Sequence, residues 1–392
     1  MVAAALFFAL GLIAAIGPTL PEFARNNEVS LGAAGAIFTA LFVGAIPTQV
    51  ATGWLNDRFG PKPVLLAGVL VLAVGLLGAT LSRSLPLTLA CMVFAGLGDG
   101  VLVVGANVIV AQSFSKQRAS ALNLLNVFYG VGAIAGPAIA GASLGLWGTA
   151  LPALWSLVLA LVLLAPAIQG LNIRSEGKSE EEKAPVNVPL YRSSALWLFS
   201  FLLLLYVGVE IGTGGWIATY MQRTTQTSPE TAALMVSGFY MALTVGRVAG
   251  AGLGTKLSSN RLLLASLAGA FAGGLVMVLG VGNTALTIVA VLLLGGSFGP
   301  IFPTAVAIIT ARFPVGAGRA ASVMIASGSV GGMVIPLLQG TLLEGVGAQG
   351  LAQVVAVDTF LMLLILGAFQ LTDKRPHYPP VAQAIPGSTA VE

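Results

Sequence analysis

Four ionisable side chains lie inside or beside long apolar runs, where charge is costly. Asp99 sits in Gly96-Leu97-Gly98-Asp99-Gly100, Glu210 in Tyr206-Val207-Gly208-Val209-Glu210, Arg247 in Leu243-Thr244-Val245-Gly246-Arg247, and Glu22 just after Pro21. A carboxyl group in hydrocarbon must be protonated, paired or hydrated. Asp99, Glu210 and Glu22 are therefore candidates to take and release a proton. Asp99 could instead accept a hydrogen bond from a solute hydroxyl, or be a structural carboxyl tied to a neighbouring helix. Asn107, two helical turns beyond Asp99, projects from about the same face. Its amide offers donors and an acceptor, which suits a polyhydroxyl ligand.

Tyr206, Glu210 and Thr213 share a face by helical spacing. Gly212, Gly214 and Gly215 weaken the helix just beyond them, as in the broken helices that line transport sites, or they simply permit tight packing. Trp216 and Tyr220 could stack on the face of a sugar or form an interfacial aromatic belt, and Tyr220 reads as part of the belt. Arg247 has Tyr240 and Thr244 on its face. A lone Arg in a span faces a wet cavity or a carboxylate, here Glu210 or Asp99, unless it snorkels to the surface. Asn123 and Asn126, on the fifth span, could reach the cavity. The plainer reading of Glu22 is an interfacial carboxylate. Asp358 reads as peripheral, and Glu344, at a span end, receives no role.

The elements that must position these groups are membrane spans. Of 392 residues, 57% are hydrophobic and 8% charged, against roughly 25% charged in soluble domains. Twelve apolar segments reach the length a bilayer requires, near 2–23, 31–55, 63–81, 86–113, 118–142, 148–170, 195–221, 229–257, 261–281, 284–312, 319–343 and 350–371. The first has no basic residues before it and reads as a retained span rather than a signal peptide. Residues 172–192 carry Glu180, Glu181, Glu182, Lys178, Lys183, Pro185 and Pro189 and read as a polar linker. Residues 374–392 read as a disordered, Pro-rich tail. This divides the chain into bundles 1–171 and 193–373.

Charge placement sets the orientation. With the N-terminus inside, the inner loops hold Arg58, Lys62, Lys116, Arg118, Arg174, Lys178, Lys183, Arg192, Lys256, Arg261, Arg312, Arg319, Lys374 and Arg375. The outer loops hold only Arg25, Arg83 and Arg223. That bias places both termini in the cytoplasm, and it accounts for the net charge of +4 without a nucleic-acid partner. The single cysteine, Cys91, excludes an internal disulfide, and the single histidine, His377, lies in the tail. No metal site or cofactor is expected.

An internal repeat appears at an offset of 199. Gly53 matches Gly252, Lys62 matches Arg261, Gly96 matches Gly295, and Gly100 matches Gly299. The ionisable groups break the repeat: Asp99 aligns with Phe298, Glu210 with Gly11, Arg247 with Thr48 and Asp57 with Lys256. A duplicated scaffold shares its glycines, so groups present in one half alone are candidates for function.

The stretch Gly53-Trp54-Leu55-Asn56-Asp57-Arg58-Phe59-Gly60-Pro61-Lys62 reads as a short charged turn between the second and third spans. Its spacing resembles the loop signature of the major facilitator superfamily, departing from it at Pro61. The resemblance implies an all-α integral membrane protein of twelve transmembrane helices in two six-helix bundles related by pseudo-two-fold symmetry. It also implies a cytoplasmic gate made by Gly53, Asp57, Arg58, Gly60 and Arg118. Three segments are similar to the fucose/hexose–proton symporter-type subgroup. These are Tyr206 to Tyr220, the fourth-span glycines with Asn107, and Phe302-Pro303-Thr304. That similarity implies proton-coupled uptake of a small neutral solute such as a sugar by a plasma-membrane monomer, with Asn107, Glu210, Asn123, Asn126, Tyr206, Trp216, Tyr240 and Arg247 in the solute site. Gly132-x-x-x-Gly136-Pro137 resembles a motif of exporters and supports the rival expectation, proton-driven export of drugs or amphipathic lipids.

Overall fold

The computed structural model describes residues 1–113, 118–170, 190–313 and 316–372. Most of the linker and the whole tail fall outside them. Among the described residues there is no strand, and twelve helices are long and apolar enough to cross a membrane. They are α1 (Val2–Asn26), α2 (Leu31–Phe59), α3 (Pro61–Leu81), α4 (Leu85–Val110), α5 (Leu124–Trp147), α6 (Pro152–Gln169), α7 (Ser194–Thr224), α8 (Pro229–Leu253), α9 (Ser259–Leu279), α10 (Thr284–Arg312), α11 (Ala317–Gly345) and α12 (Ala348–Leu371). Odd-numbered helices start at the end that carries Arg58, Lys62, Arg261 and Arg319, here the basic end. They finish at the far end, beside Arg25, Arg83 and Arg223.

Apolar side chains such as Leu70, Val74, Leu77 and Leu81 of α3 point outward and are exposed. Lipid tails are as apolar as leucine, so burial gives little drive to pair such helices, and close approach of small residues replaces it. The α2–α4 contact shows this. A Cβ on Gly96 would overlap the Leu41 carbonyl, and one on Gly44 would overlap that of Val93.

Among the described residues, three helices are interrupted. In α2 a turn at Gly35 separates Leu31–Ala34 from Ala36–Phe59. In α1, residues Leu12–Ala15 tighten into a 3₁₀ turn. In α10 the helix breaks at Gly299-Pro300, between Thr284–Phe298 and Ile301–Arg312, where Pro300 supplies no N–H to the ladder.

The charged turn after the second span is shorter than its sequence implies. α2 stays helical through Phe59 and α3 begins at Pro61. Gly60 alone makes the reversal, at φ 84°, with its N–H donating to Asn56 O at 2.9 Å. That positive φ favours glycine, and a proline suits the first position of the next helix. Asp57 and Arg58 therefore ride on the last turn of a helix that leaves the bilayer.

Candidate functional site

Asp99 is aimed by its neighbours. Gly96 and Gly100 pack on α2, and Gly98 packs on α3 at Leu72. With those faces of α4 committed, the Asp99 side chain takes the remaining one and stays partly buried. Among the described residues it has no ion-pair partner.

Across the molecule, Arg247 of α8 reaches Glu210 of α7, with Nη2 to Oε1 at 3.7 Å. Their side chains are 28% and 16% exposed, so neither is fully buried. This settles the sequence alternatives for Arg247: it pairs instead of snorkelling, and its partner is Glu210. Tyr206, one turn before Glu210, is fully buried and donates from its hydroxyl to Phe298 O at 3.1 Å. That carbonyl lies at the α10 break, so Tyr206 caps a group the interruption leaves unbonded. Tyr240 presses its hydroxyl against Gly214, 2.5 Å from where a Cβ would stand.

Tyr129 of α5, which the sequence reading missed, stands between the halves. It lies within electrostatic range of Asp99, Glu210 and Arg247. Its ring packs edge-on against Phe7. The missed signal was spacing, since Tyr129 follows Asn126 by one helical turn. Gln49 was missed too. It accepts a hydrogen bond from Ser329 Oγ at 3.2 Å across the bundles, and its repeat mate is the apolar Val248.

Other expected site residues are occupied elsewhere. Asn107 and Asn126 turn their amides back on their own helices, donating to Val103 O at 2.8 Å and Leu122 O at 2.9 Å. The side chains of Asn123 and Arg118 lie outside the described residues. Trp216 is fully buried, its indole N–H donating to Pro336 O at 2.8 Å and its ring wedged against Gly35 and Gly340. It fills packing between helices and has no face free for a solute here. Glu22 accepts from Thr149 Oγ1 at 2.7 Å and Ala150 N at 2.9 Å. It caps the entry to α6 at the far end rather than joining the Glu210–Arg247 pair.

Two further readings are corrected. Tyr220 is not part of an aromatic belt: it is buried, and its hydroxyl donates to Met277 O at 3.1 Å inside the second bundle. Asp358 is not peripheral: it is 8% exposed, and its Oδ2 has no hydrogen-bond partner among the described residues. Of the expected gate, Arg58 stacks over the rings of Trp54 and Phe59 at 5.3 and 5.4 Å. Asp57 is exposed, and a Cβ on Gly53 would touch nothing.

The bundles meet along the far half of the molecule. Thr39 Oγ1 donates to Met333 O at 2.7 Å, and Ser237 Oγ to Ile134 O at 2.8 Å. A Cβ on Gly17 would come within 2.7 Å of the Gly215 carbonyl. The conformation is closed at its far end.

Twelve apolar helices in two bundles, with Asp99, Glu210 and Arg247 inside the spans, define a multi-pass membrane protein of the secondary-transporter class. The family's model, described as Major Facilitator Superfamily, matches residues 2–224 and again 199–389. The chain belongs to the Major Facilitator Superfamily, whose members are transporters that act on small molecules. It is 25% identical over 359 residues to sodium-dependent glucose transporter 1 of Xenopus laevis, covering 84% of this chain and 72% of that one. It is 28% identical over 364 residues to the probable nitrate/nitrite transporter NarK2 of Mycobacterium tuberculosis, covering 84% and 85%. Among solved structures, its fold resembles that of a D-xylose–proton symporter, with TM-score 0.75, 13% identity and coverage of 93% and 95%.

Proposed function

We propose that this chain carries a small neutral hydroxylated solute, such as a sugar, together with a proton. It works by alternating access from the plasma membrane, as a monomer with its basic end in the cytoplasm. The observation that carries the reading is the Glu210–Arg247 pair, together with an Asp99 that has no ion-pair partner among the described residues. Arg247 is the one basic residue at mid-span among the described residues, and its charge is already neutralised. An anion such as nitrate would find no spare cation, whereas a neutral polyol would find carboxylate and phenol oxygens ready to bond with its hydroxyls. The nitrate/nitrite relative is the reason to test this point directly. Asp99 lies within a span and has no ion-pair partner among the described residues, so it is the group assigned to carry the proton, with Glu210 held ready by Arg247.

The export reading rests on Gly132 and Gly136. A Cβ on Gly132 would overlap the Phe8 carbonyl, and one on Gly136 would come within 2.5 Å of the Leu12 carbonyl. Packing of α5 on α1 accounts for the motif without reference to direction.

The deciding experiment uses proteoliposomes. A solute is first found by thermal shift against D-glucose, D-xylose, nitrate and common dyes, since a ligand of the folded state raises apparent stability. Asp99→Asn should abolish accumulation driven by a pH gradient and keep solute exchange. Wild-type accumulation that ignores the gradient, or a shift with nitrate alone, would sink the reading.

A further inference from the structure

The far end is closed by contacts of two kinds. Most are neutral: hydroxyls on carbonyls, and backbone against backbone at Gly17 and Gly215. One is charged. Glu344, on the last turn of α11, places Oε2 2.7 Å from Ser30 Oγ and 2.9 Å from the backbone N of Gly32. Both belong to the start of α2, in the other bundle. Ser30 is also the N-cap there, its Oγ accepting from Ala33 N at 3.2 Å. Glu344 thus completes the cap of a helix to which it is not covalently near, and a carboxylate is favoured there by the exposed N–H groups and the helix dipole.

Glu22 supplies the contrast. It caps the turn into α6 by the same chemistry, a hydroxyl and a backbone N–H on one carboxylate. Both partners lie in its own bundle, so that cap survives any movement of one bundle against the other. The Glu344 cap cannot. If the far end opens, α2 and α11 part, and the carboxylate loses both donors while the first turn of α2 loses a cap.

We propose that Glu344 is a far-end latch whose hydrogen bonds to Ser30 and Gly32 hold the closed state and set how often the far end opens. The latch rests on alternating access, not on the identity of the solute. Its partners are at the rim, away from Asp99, Glu210 and Arg247, so it acts on the conformational equilibrium and leaves the central groups in place. A charge-assisted contact of this kind shifts a two-state equilibrium by about tenfold or more.

The test reads opening directly and needs no solute. Ala233 of α8 is buried at the far end, its Cβ 3.4 Å from where a Cβ on Gly141 of α5 would stand. It therefore reports parting of a different helix pair. The full-length chain carrying Ala233→Cys and Cys91→Ser is placed in nanodiscs and labelled with a water-soluble thiol reagent. Glu344→Ala and Glu344→Asp should each raise the labelling rate by about tenfold, with Ser30→Ala between them and the parent. Glu22→Gln should lower thermal stability and leave the labelling rate alone. Unchanged labelling in both Glu344 variants would overturn the latch. So would an equal rise in Glu22→Gln, because the effect would then be general loosening.

Discussion

At the scale of single residues, the Glu210–Arg247 pair is the group whose removal is most informative. Each charge makes the other tolerable at mid-span. Taking away one partner strands the other, which in a buried pair costs about 3–5 kcal/mol. With 16% and 28% exposure, water relieves part of that, and about 2–3 kcal/mol is expected for Arg247→Leu. The double variant Glu210→Gln with Arg247→Leu should recover at least half of the loss. Denaturation midpoints in detergent for the four members of this cycle measure the coupling, and a double variant as unstable as the sum of the singles would show that the pair is not coupled. The sequence offered Glu210 and Asp99 as partners for Arg247 but could not choose between them, because helix spacing orders residues within a span and is silent between spans. The same limit hid the fates of Trp216 and Glu344. A tryptophan at a span end fits a solute site, a belt or a packed core equally well. Only the approach of Gly35 and Gly340 decides for packing.

At the scale of helices, the glycines divide into those that set a distance and those that do not. Gly96 sets one. Its missing Cβ lets α4 lie on the Leu41 carbonyl of α2, and this contact fixes the direction of Asp99 three residues on. Gly96→Val should push the helices apart and leave too little folded protein to recover by size-exclusion chromatography, since overpacking against backbone cannot be relieved by a rotamer change. Gly53 sets none in this conformation, being helical and open on every side. Gly53→Ala should hold or raise thermal stability, by up to about 1 kcal/mol from helix propensity. If the gate implied by the family resemblance holds, transport should fall in that variant all the same, because the contact belongs to the other state. Equal transport by Gly53→Ala would remove Gly53 from the gate. The spans were legible because hydropathy and length suffice to find them. The α10 break, and the helix that persists through Asp57 and Arg58, were not, because Gly-Pro and a charged run read alike as punctuation.

At the scale of the whole molecule, the repeat at 199 residues made the two bundles legible, since duplicated glycines mark duplicated packing. How the bundles meet was not legible. Contacts between them join residues hundreds of positions apart and belong to one state of a moving pair, so no local pattern encodes them. Thr39 and Met333 give a way to test that movement. Thr39 Oγ1 lies 2.7 Å from the Met333 carbonyl, which brings α2 and α11 together in the far half of the interface. Thr39→Cys with Met333→Cys, in a Cys91→Ser background, should form a disulfide under mild oxidation. It would join the bundles at a point that must open in each cycle if the solute is to reach the central groups from the far side. Oxidised protein in proteoliposomes should lose solute exchange almost entirely, and a reductant should restore it. Each cysteine alone should transport with or without oxidant. A crosslinked protein that continues to exchange solute at the parent rate would mean that α2 and α11 stay together throughout the cycle. The path to Asp99, Glu210 and Arg247 would then have to open elsewhere, between α5 and α8, where Ser237 meets Ile134.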